Sequence, residues 1–243
     1  MYIFRKIMKT EATIKNLGEI FYVHAPIGKA LDQLRKTGAE TITLRDLAYA
    51  RIREGAESHI SQHGSYVKQA CIHMPRNKII FTNNSPILEI DSVLWAIKDY
   101  RLKFEFNVDA KSYLEQAEED KSKSPEQRRT IMFDSARYFS IPTNRFADEE
   151  LTRWAFKDQA KQYGEFLREN GVNKISGIFV NVDSSKEPFA RQLWLCRIND
   201  GGRSVISSND HDLGNDCMIR GLRSVSSKAV QDFFSNMLLN CRN

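Results

Sequence analysis

Two short segments of this sequence hold the side chains best suited to binding a metal ion. The first is SHISQHGSYVKQACIHM (residues 58–74), which carries three of the five histidines and one of the four cysteines. If a helix ran past Gly55, the first two histidines of the segment would share a helix face, and the Cys-x-His pair that follows would share a strand face. Zinc accepts both imidazole and thiolate ligands. The candidate zinc ligands are therefore His59, His63, Cys71 and His73.

A simpler interpretation of this segment needs no metal. The spacing matches no zinc finger, and the HxxxH pattern lacks the glutamate of the HExxH metalloproteases. The two histidines would then cap a solvated helix end, while the cysteine and the third histidine lie on one face of a strand. We expect the bound metal to be absent, with zinc as the alternative.

The second segment is NDHDLGND (residues 209–216), which places carboxylates beside an imidazole. Such a set could hold a hard cation such as magnesium or carry out general acid–base chemistry. The same residue types also build turns, and the spacing does not fit an EF-hand loop. A plain loop and a metal site both remain open, and the site residues would be Asp210, His211, Asp212 and Asp216.

Basic residues form a third candidate site, because they recur every four residues along a predicted helix at 148–169. The chain carries 36 Lys and Arg against 31 Asp and Glu, a net charge of +5, which permits contact with a polyanion. A basic stripe suits phosphate contacts, whereas salt bridges on a solvated face are the alternative. Tyr66 or Phe81 would add base stacking if exposed. The predicted phosphate-binding residues are Arg128, Arg129, Arg153, Lys157, Lys161, Arg220 and Arg223.

Other features of the sequence limit the class of protein. The four cysteines are widely spaced, as expected of reduced thiols, and the sequence contains no signal-peptide pattern or apolar run long enough to span a membrane. We therefore expect a cytoplasmic protein without membrane contact. The absence of GxGxxG, GxxxxGK[ST] and GxSxG motifs disfavours dinucleotide oxidoreductases, nucleotide-driven motors and serine hydrolases.

Hydrophobic periodicity predicts the elements that position these residues. The first half shows a strand at 18–23, helices at 25–36 and from Thr43, and a hairpin that turns at 75–78. The remaining elements, in chain order, are a helix at 89–98, a strand at 100–108, helices at 109–121, 125–139 and 148–169, strands at 175–182, 190–198, 203–207 and 217–222, and a helix at 226–240.

Together these patterns predict an α+β fold, with antiparallel hairpins and a mixed sheet against packed helices, a helical middle segment, and a strand-rich C-terminal third closed by a helix. The chain divides into an N-terminal region, 1–121, and a second region, 122–243, or forms one continuous domain. The favoured function is a soluble intracellular protein that binds a nucleic acid or a partner protein, without a conventional catalytic site. The alternatives are a metal-dependent hydrolase or nuclease and a structural or assembly protein.

Overall fold

Twelve strands are found in the part of the chain that the computed structural model describes, which is residues 8–89, 106–134, 138–178, 187–199, 201–208 and 217–224. They all belong to one mixed sheet. The strands are β1 (Met8–Ile14), β2 (Gly18–Ala25), β3 (Glu40–Thr41), β4 (Ser65–His73), β5 (Ile79–Thr82), β6 (Phe106–Asn107), β7 (Thr130–Phe133), β8 (Tyr138–Pro142), β9 (Lys174–Ile178), β10 (Phe189–Leu195), β11 (Arg203–Ser207) and β12 (Cys217–Arg223).

The centre of the sheet is the antiparallel pair β4 and β10, in which His73 lies opposite Phe189. The beginning of β4 also pairs with β12, which continues through β2 to β1, and β3 pairs with β12. The end of β4 pairs with β5, which pairs in turn with β7. On the far side, β10 pairs with β6 and β11, and β11 continues through β9 to β8. The sheet therefore branches on both sides of its central pair.

The helices pack on this sheet. They are α1 (Ile27–Lys36), α2 (Leu44–Glu54), α3 (His59–Gln62), α4 (Lys111–Asp120), α5 (Glu150–Phe156) and α6 (Ala160–Glu169). Short 3-10 turns lie at Pro75–Asn77, Pro125–Gln127, Thr143–Arg145 and Lys157–Gln159. As predicted, Thr43 caps α2, since its hydroxyl accepts the backbone N–H of Asp46 at 3.0 Å. No described helix is long and apolar enough to cross a membrane.

Two hydrophobic cores lie on opposite faces of the sheet. Successive strand residues contribute to different cores: Cys71 packs with Trp154 and Tyr163, whereas Ile72 packs with Ile27 of α1. Alternation of this kind is what a strand covered on both faces produces. The α+β class is thus confirmed, and β10 is buried on both faces as its apolar sequence indicated.

Two helix predictions are wrong, and the helix extension that the zinc hypothesis required is absent. The second helix does not pass Gly55, whose φ of 86° ends α2 before a separate turn begins at His59. The predicted helix at 125–139 is a 3-10 turn followed by β7, because the TIMF segment pairs with β5 along its whole length. The long helix at 148–169 breaks at Lys157, where φ is 53°.

Other predictions fall outside the described residues. These are nearly all of the helix at 89–98, most of the strand at 100–108 and the helix at 226–240. The division at residues 121 and 122 stays a prediction. Strands from both proposed regions do alternate in the sheet, since β12 lies between β2 and β4, and this pairing favours the alternative of one continuous domain.

Candidate functional site

The first pair of candidate zinc ligands, His59 and His63, lies at the protein surface beside the edge strand β1. His59 Nδ1 donates to Glu11 Oε1 at 2.5 Å, and His63 Nδ1 donates to the backbone oxygen of His59 at 3.1 Å. The two rings stack with their centroids 4.0 Å apart. Both Nδ1 atoms therefore already form hydrogen bonds within the protein.

The second pair, Cys71 and His73, is fully buried at the centre of the sheet. The Cys71 Sγ lies 3.0 Å from His73 Nε2, and the imidazole stacks on the Phe189 ring. Burial, together with the charge of Arg191, lowers the pKa of His73 to about 3. Burial also raises the pKa of the Cys71 thiol to about 12. The pair is therefore a neutral part of the core.

The structure does not bring the two pairs together into a zinc site. Among the described residues, no group of three or more His, Cys, Asp or Glu side chains is placed to hold a metal ion. The reason is the break at Gly55, which leaves the histidine pair on a surface turn while the Cys-His pair lies inside the sheet. The second candidate set, Asp210, His211, Asp212 and Asp216, lies outside the described residues, so a metal there stays a prediction.

The predicted basic stripe is occupied by partners within the fold. Arg153 binds the Glu126 carboxylate through two nitrogens, at 2.6 and 3.1 Å. Arg128 pairs with Glu150 and also donates to backbone carbonyls. Lys157 is half-buried and donates to the backbone oxygen of Arg128 at 3.2 Å, and burial lowers the pKa of its amine to about 8.

The other residues that were predicted to contact phosphate mostly pair with carboxylates or lie in the interior. Arg129 pairs with Glu119 at 3.1 Å, and Arg223 donates to Glu19 at 2.8 Å. Lys161 is exposed on α6, whereas its neighbours in the proposed stripe, Arg153 and Lys157, bind partners within the protein. Arg220 has a relative exposure of 0% and lies in the interior.

The two aromatic residues proposed for base stacking, Tyr66 and Phe81, are 3% and 1% exposed. Both belong to the hydrophobic cores. Neither ring face is therefore accessible to a nucleic-acid base.

A cleft of about 300 Å³ lies between the end of β5 and helix α4 and is here called the polar cleft. Most of its wall consists of amide and hydroxyl side chains. These are Thr82, Asn83, Asn84, Ser112 and Gln116. The wall is completed by Tyr113, Glu89 and Arg129.

A second cleft of about 370 Å³ adjoins the polar cleft and shares Asn84 and Glu89 with it. Its floor is apolar, with Leu31 and Leu34 of α1 among the lining residues. Its rim carries the ion pair of Lys68 and Glu40, with 2.8 Å between Nζ and Oε2. The two adjoining clefts therefore differ in character, one being mainly polar and the other having apolar residues in its lining.

Asn83 is the most informative residue of the polar cleft. Its backbone N–H donates to the Arg129 oxygen at 2.9 Å, and its Nδ2 donates to the Arg128 oxygen at 3.0 Å. The amide plane is therefore fixed. Its Oδ1 is buried and receives no hydrogen bond from any described residue. A buried acceptor without a donor costs stability that a bound hydroxyl or water would recover.

The segment that carries Arg129 is held rigidly behind this wall by Asp120. The Asp120 carboxylate accepts the backbone N–H groups of Arg129 and Thr130, at 2.6 and 3.0 Å, and the Lys123 amine at 2.7 Å. Burial raises the pKa of Asp120, but these hydrogen bonds outweigh it and the net pKa is lowered. The carboxylate therefore stays ionised and positions this part of the cleft.

Tyr113 supplies the aromatic surface of the polar cleft. The ring lies on α4 and is partly exposed. Burial and, second, the charge of Glu89 raise the pKa of its hydroxyl, which therefore stays protonated at neutral pH. Glu89 is exposed and forms no ion pair with any residue that the structure describes.

Sequence reasoning missed the polar cleft. Asn83 and Asn84 were treated only as the end of a hairpin, and Tyr113 only as part of a helix. A pair of asparagines directly after a buried strand was the available signal, but nothing local linked it to α4. The two come together because β5 and α4 both contact β7.

Comparison with known proteins gives a fold but no family. No family model and no curated protein matches the sequence. A solved structure described as "Accommodation of massive sequence variation in Nanoarchaeota by the C-type lectin fold" aligns with 91% of this chain and 100% of its own, at 15% identity and a TM-score of 0.61. The likeness shows a C-type lectin fold.

This fold overturns the favoured function. Nucleic-acid binding was predicted from the basic stripe, and the C-type lectin fold of the similar structure contradicts that prediction. The ion pairs above account for much of the error, because most of the arginines in the predicted site bind carboxylates of the same chain. The histidine–cysteine site of the metal-dependent hydrolase alternative is not formed, because the two pairs of side chains do not come together. The cytoplasmic location stays a prediction.

Proposed function

We propose that the protein is a ligand-binding module of the C-type lectin fold, and that it binds a saccharide in the polar cleft. The fold supports a recognition role. The similar structure is described as accommodating massive sequence variation, which suits a scaffold whose surface residues set the ligand. The chemistry of the polar cleft supports the choice of ligand.

Sugars present hydroxyl groups that both donate and accept hydrogen bonds, and apolar C–H faces between them. Amide side chains such as Asn83 and Gln116 offer a donor and an acceptor in one plane, which matches pairs of adjacent hydroxyls. An aromatic ring such as that of Tyr113 packs against the C–H face. Ligand sites commonly combine a few fixed polar groups with such a surface.

The observation that carries the proposal is the lining of the polar cleft, where amide and hydroxyl side chains lie beside the partly exposed Tyr113 ring. Within this lining the Asn83 amide is held in place by the bond from its Nδ2 to the Arg128 oxygen. A positioned amide of this kind binds sugar hydroxyls with little loss of side-chain entropy.

Isothermal titration calorimetry with β1,4-linked trisaccharides tests this proposal. We expect binding by the wild-type protein and a loss of about tenfold or more in affinity for Tyr113→Ala and for Gln116→Ala. Glu115→Ala is the matched control, because Glu115 lies on the same helix but is exposed and outside the polar cleft. Absence of binding, or equal losses in all three variants, would refute a saccharide site in this cleft.

A further inference from the structure

The positively and negatively charged residues around the two clefts differ in whether they have an ionic partner. The three cations that line them all have carboxylate partners: Arg35 lies 3.6 Å from Asp32, Lys68 pairs with Glu40, and Arg129 pairs with Glu119. Glu89 lines both clefts and has no ionic partner among the described residues. Among the described residues, the lining of the two clefts therefore carries one uncompensated negative charge, although the whole chain is basic.

Glu89 also lies close to the aromatic wall of the polar cleft. Both Glu89 and Tyr113 line that cleft, and the charge of Glu89 acts on the Tyr113 hydroxyl strongly enough to help raise its pKa after the larger effect of burial. A carboxylate beside an aromatic ring offers two attractions to a cation. The carboxylate forms a charge-assisted hydrogen bond, and the ring face attracts the cation through its quadrupole.

We infer that the polar cleft selects saccharides that carry a free primary amine, with the ammonium group held between the Glu89 carboxylate and the Tyr113 ring. This inference rests on the proposed function and names its ligand class. Asn83 and Gln116 then bind neighbouring hydroxyls of the same sugar unit. A glucosamine unit has the required chemistry, whereas glucose and N-acetylglucosamine place a neutral hydroxyl or amide at the same ring position.

The test uses three ligands that differ only in the group at this ring position. Calorimetry compares the β1,4-linked trisaccharides of glucosamine, glucose and N-acetylglucosamine at about pH 6, where a primary amine is charged. We expect the glucosamine trisaccharide to bind about tenfold more tightly than the other two, since the ion pair is partly exposed to solvent. Because a tenfold ratio of affinities is small, all three ligands must be measured in the same buffer.

The variant Glu89→Gln removes the charge and keeps the shape. We expect it to abolish the preference, so that the ratio of the affinities for the glucosamine and glucose trisaccharides falls from about ten to about one. Glu115→Gln is the matched control, because it removes the same charge from an exposed site outside the clefts and should leave the preference intact. Both positions are exposed, so thermal melting should show both variants folded.

The outcomes separate the inference from the proposed function. Equal affinity for all three trisaccharides, or a preference that survives Glu89→Gln, overturns amine selection and leaves the saccharide site standing. Binding of none of them overturns both. A simple diamine that binds as tightly as the glucosamine trisaccharide, and with the same sensitivity to Glu89→Gln, overturns the sugar part and reduces the cleft to a cation site.

Discussion

Two polar regions of this protein differ in how completely their hydrogen-bonding groups are satisfied. In the interior network at the start of β4, Arg220 binds both oxygens of Glu11, at 2.6 and 2.8 Å, and donates to the Gly64 carbonyl at 2.9 Å. In the polar cleft, the buried Oδ1 of Asn83 has no described donor and Glu89 has no described ionic partner.

The interior network continues through a second buried arginine. Arg51 donates to the carbonyls of Ile60, His63 and Cys196 and to the Tyr163 hydroxyl, so that all its nitrogens are used. The two arginines clamp the turn between α3 and β4 from both sides. The fully bonded arginines make this network structural, whereas the polar cleft keeps the exposed Glu89 carboxylate without an ionic partner among the described residues.

The largest effect on stability should come from breaking the interior network. Arg220→Met leaves the Glu11 carboxylate, which is 6% exposed, without its main partner. We expect the free energy of unfolding to fall by about 3–5 kcal/mol in urea denaturation, because an uncompensated buried charge remains. A loss below about 1 kcal/mol would show that water reaches Glu11 and that the network is not a structural clamp.

A second effect of the interior on stability should appear as the pH is lowered. The pKa of His73 is about 3 in the folded protein and 6.5 in the unfolded chain. As the pH falls below 6.5, the unfolded chain therefore takes up a proton at this imidazole while the folded protein does not. Between these two values His73 should reduce stability by about 1.4 kcal/mol per pH unit. The measurement is the difference in unfolding free energy between wild type and His73→Leu. A difference that does not change between about pH 7 and pH 5 would contradict the burial of a neutral imidazole.

The smallest effect on stability is expected in the polar cleft. Asn83→Ala removes the bond to the Arg128 carbonyl but also removes the unsatisfied acceptor, and the Lys157 amine still donates to that carbonyl. We expect a change of less than about 1 kcal/mol in the unfolding free energy, together with weaker saccharide binding. A loss as large as that of Arg220→Met would place Asn83 among the structural residues.

Local patterns predicted the sheet better than the helices. The hairpin of β4 and β5 and the cap at Thr43 followed from alternation and from residue types that act within a few positions. The segment after Ser124 failed because a serine–proline start suits a 3-10 turn as well as a helix. The break at Lys157 was hidden because the hydrophobic spacing continues on both sides of it.

The candidate site was beyond the reach of local patterns. Histidine and cysteine spacing correctly defined two same-face pairs, but whether the faces meet depends on the backbone at Gly55. Counting basic residues overestimated the free positive charge, because the acidic partners Glu126 and Glu11 are distant in sequence from the arginines that they bind. The polar cleft depends on long-range packing of the same kind.

The central claim is that the polar cleft binds a hydroxyl-rich ligand, and side-chain amide signals test it most directly. A ¹H–¹⁵N NMR titration with the glucosamine trisaccharide should shift the side-chain amide signals of Asn83 and Gln116. The Gln62 amide, which is exposed and donates to the Ala56 carbonyl outside both clefts, should stay in place. Shifts at Gln62 with none at Asn83 and Gln116, or no shifts at all, would contradict the proposed site.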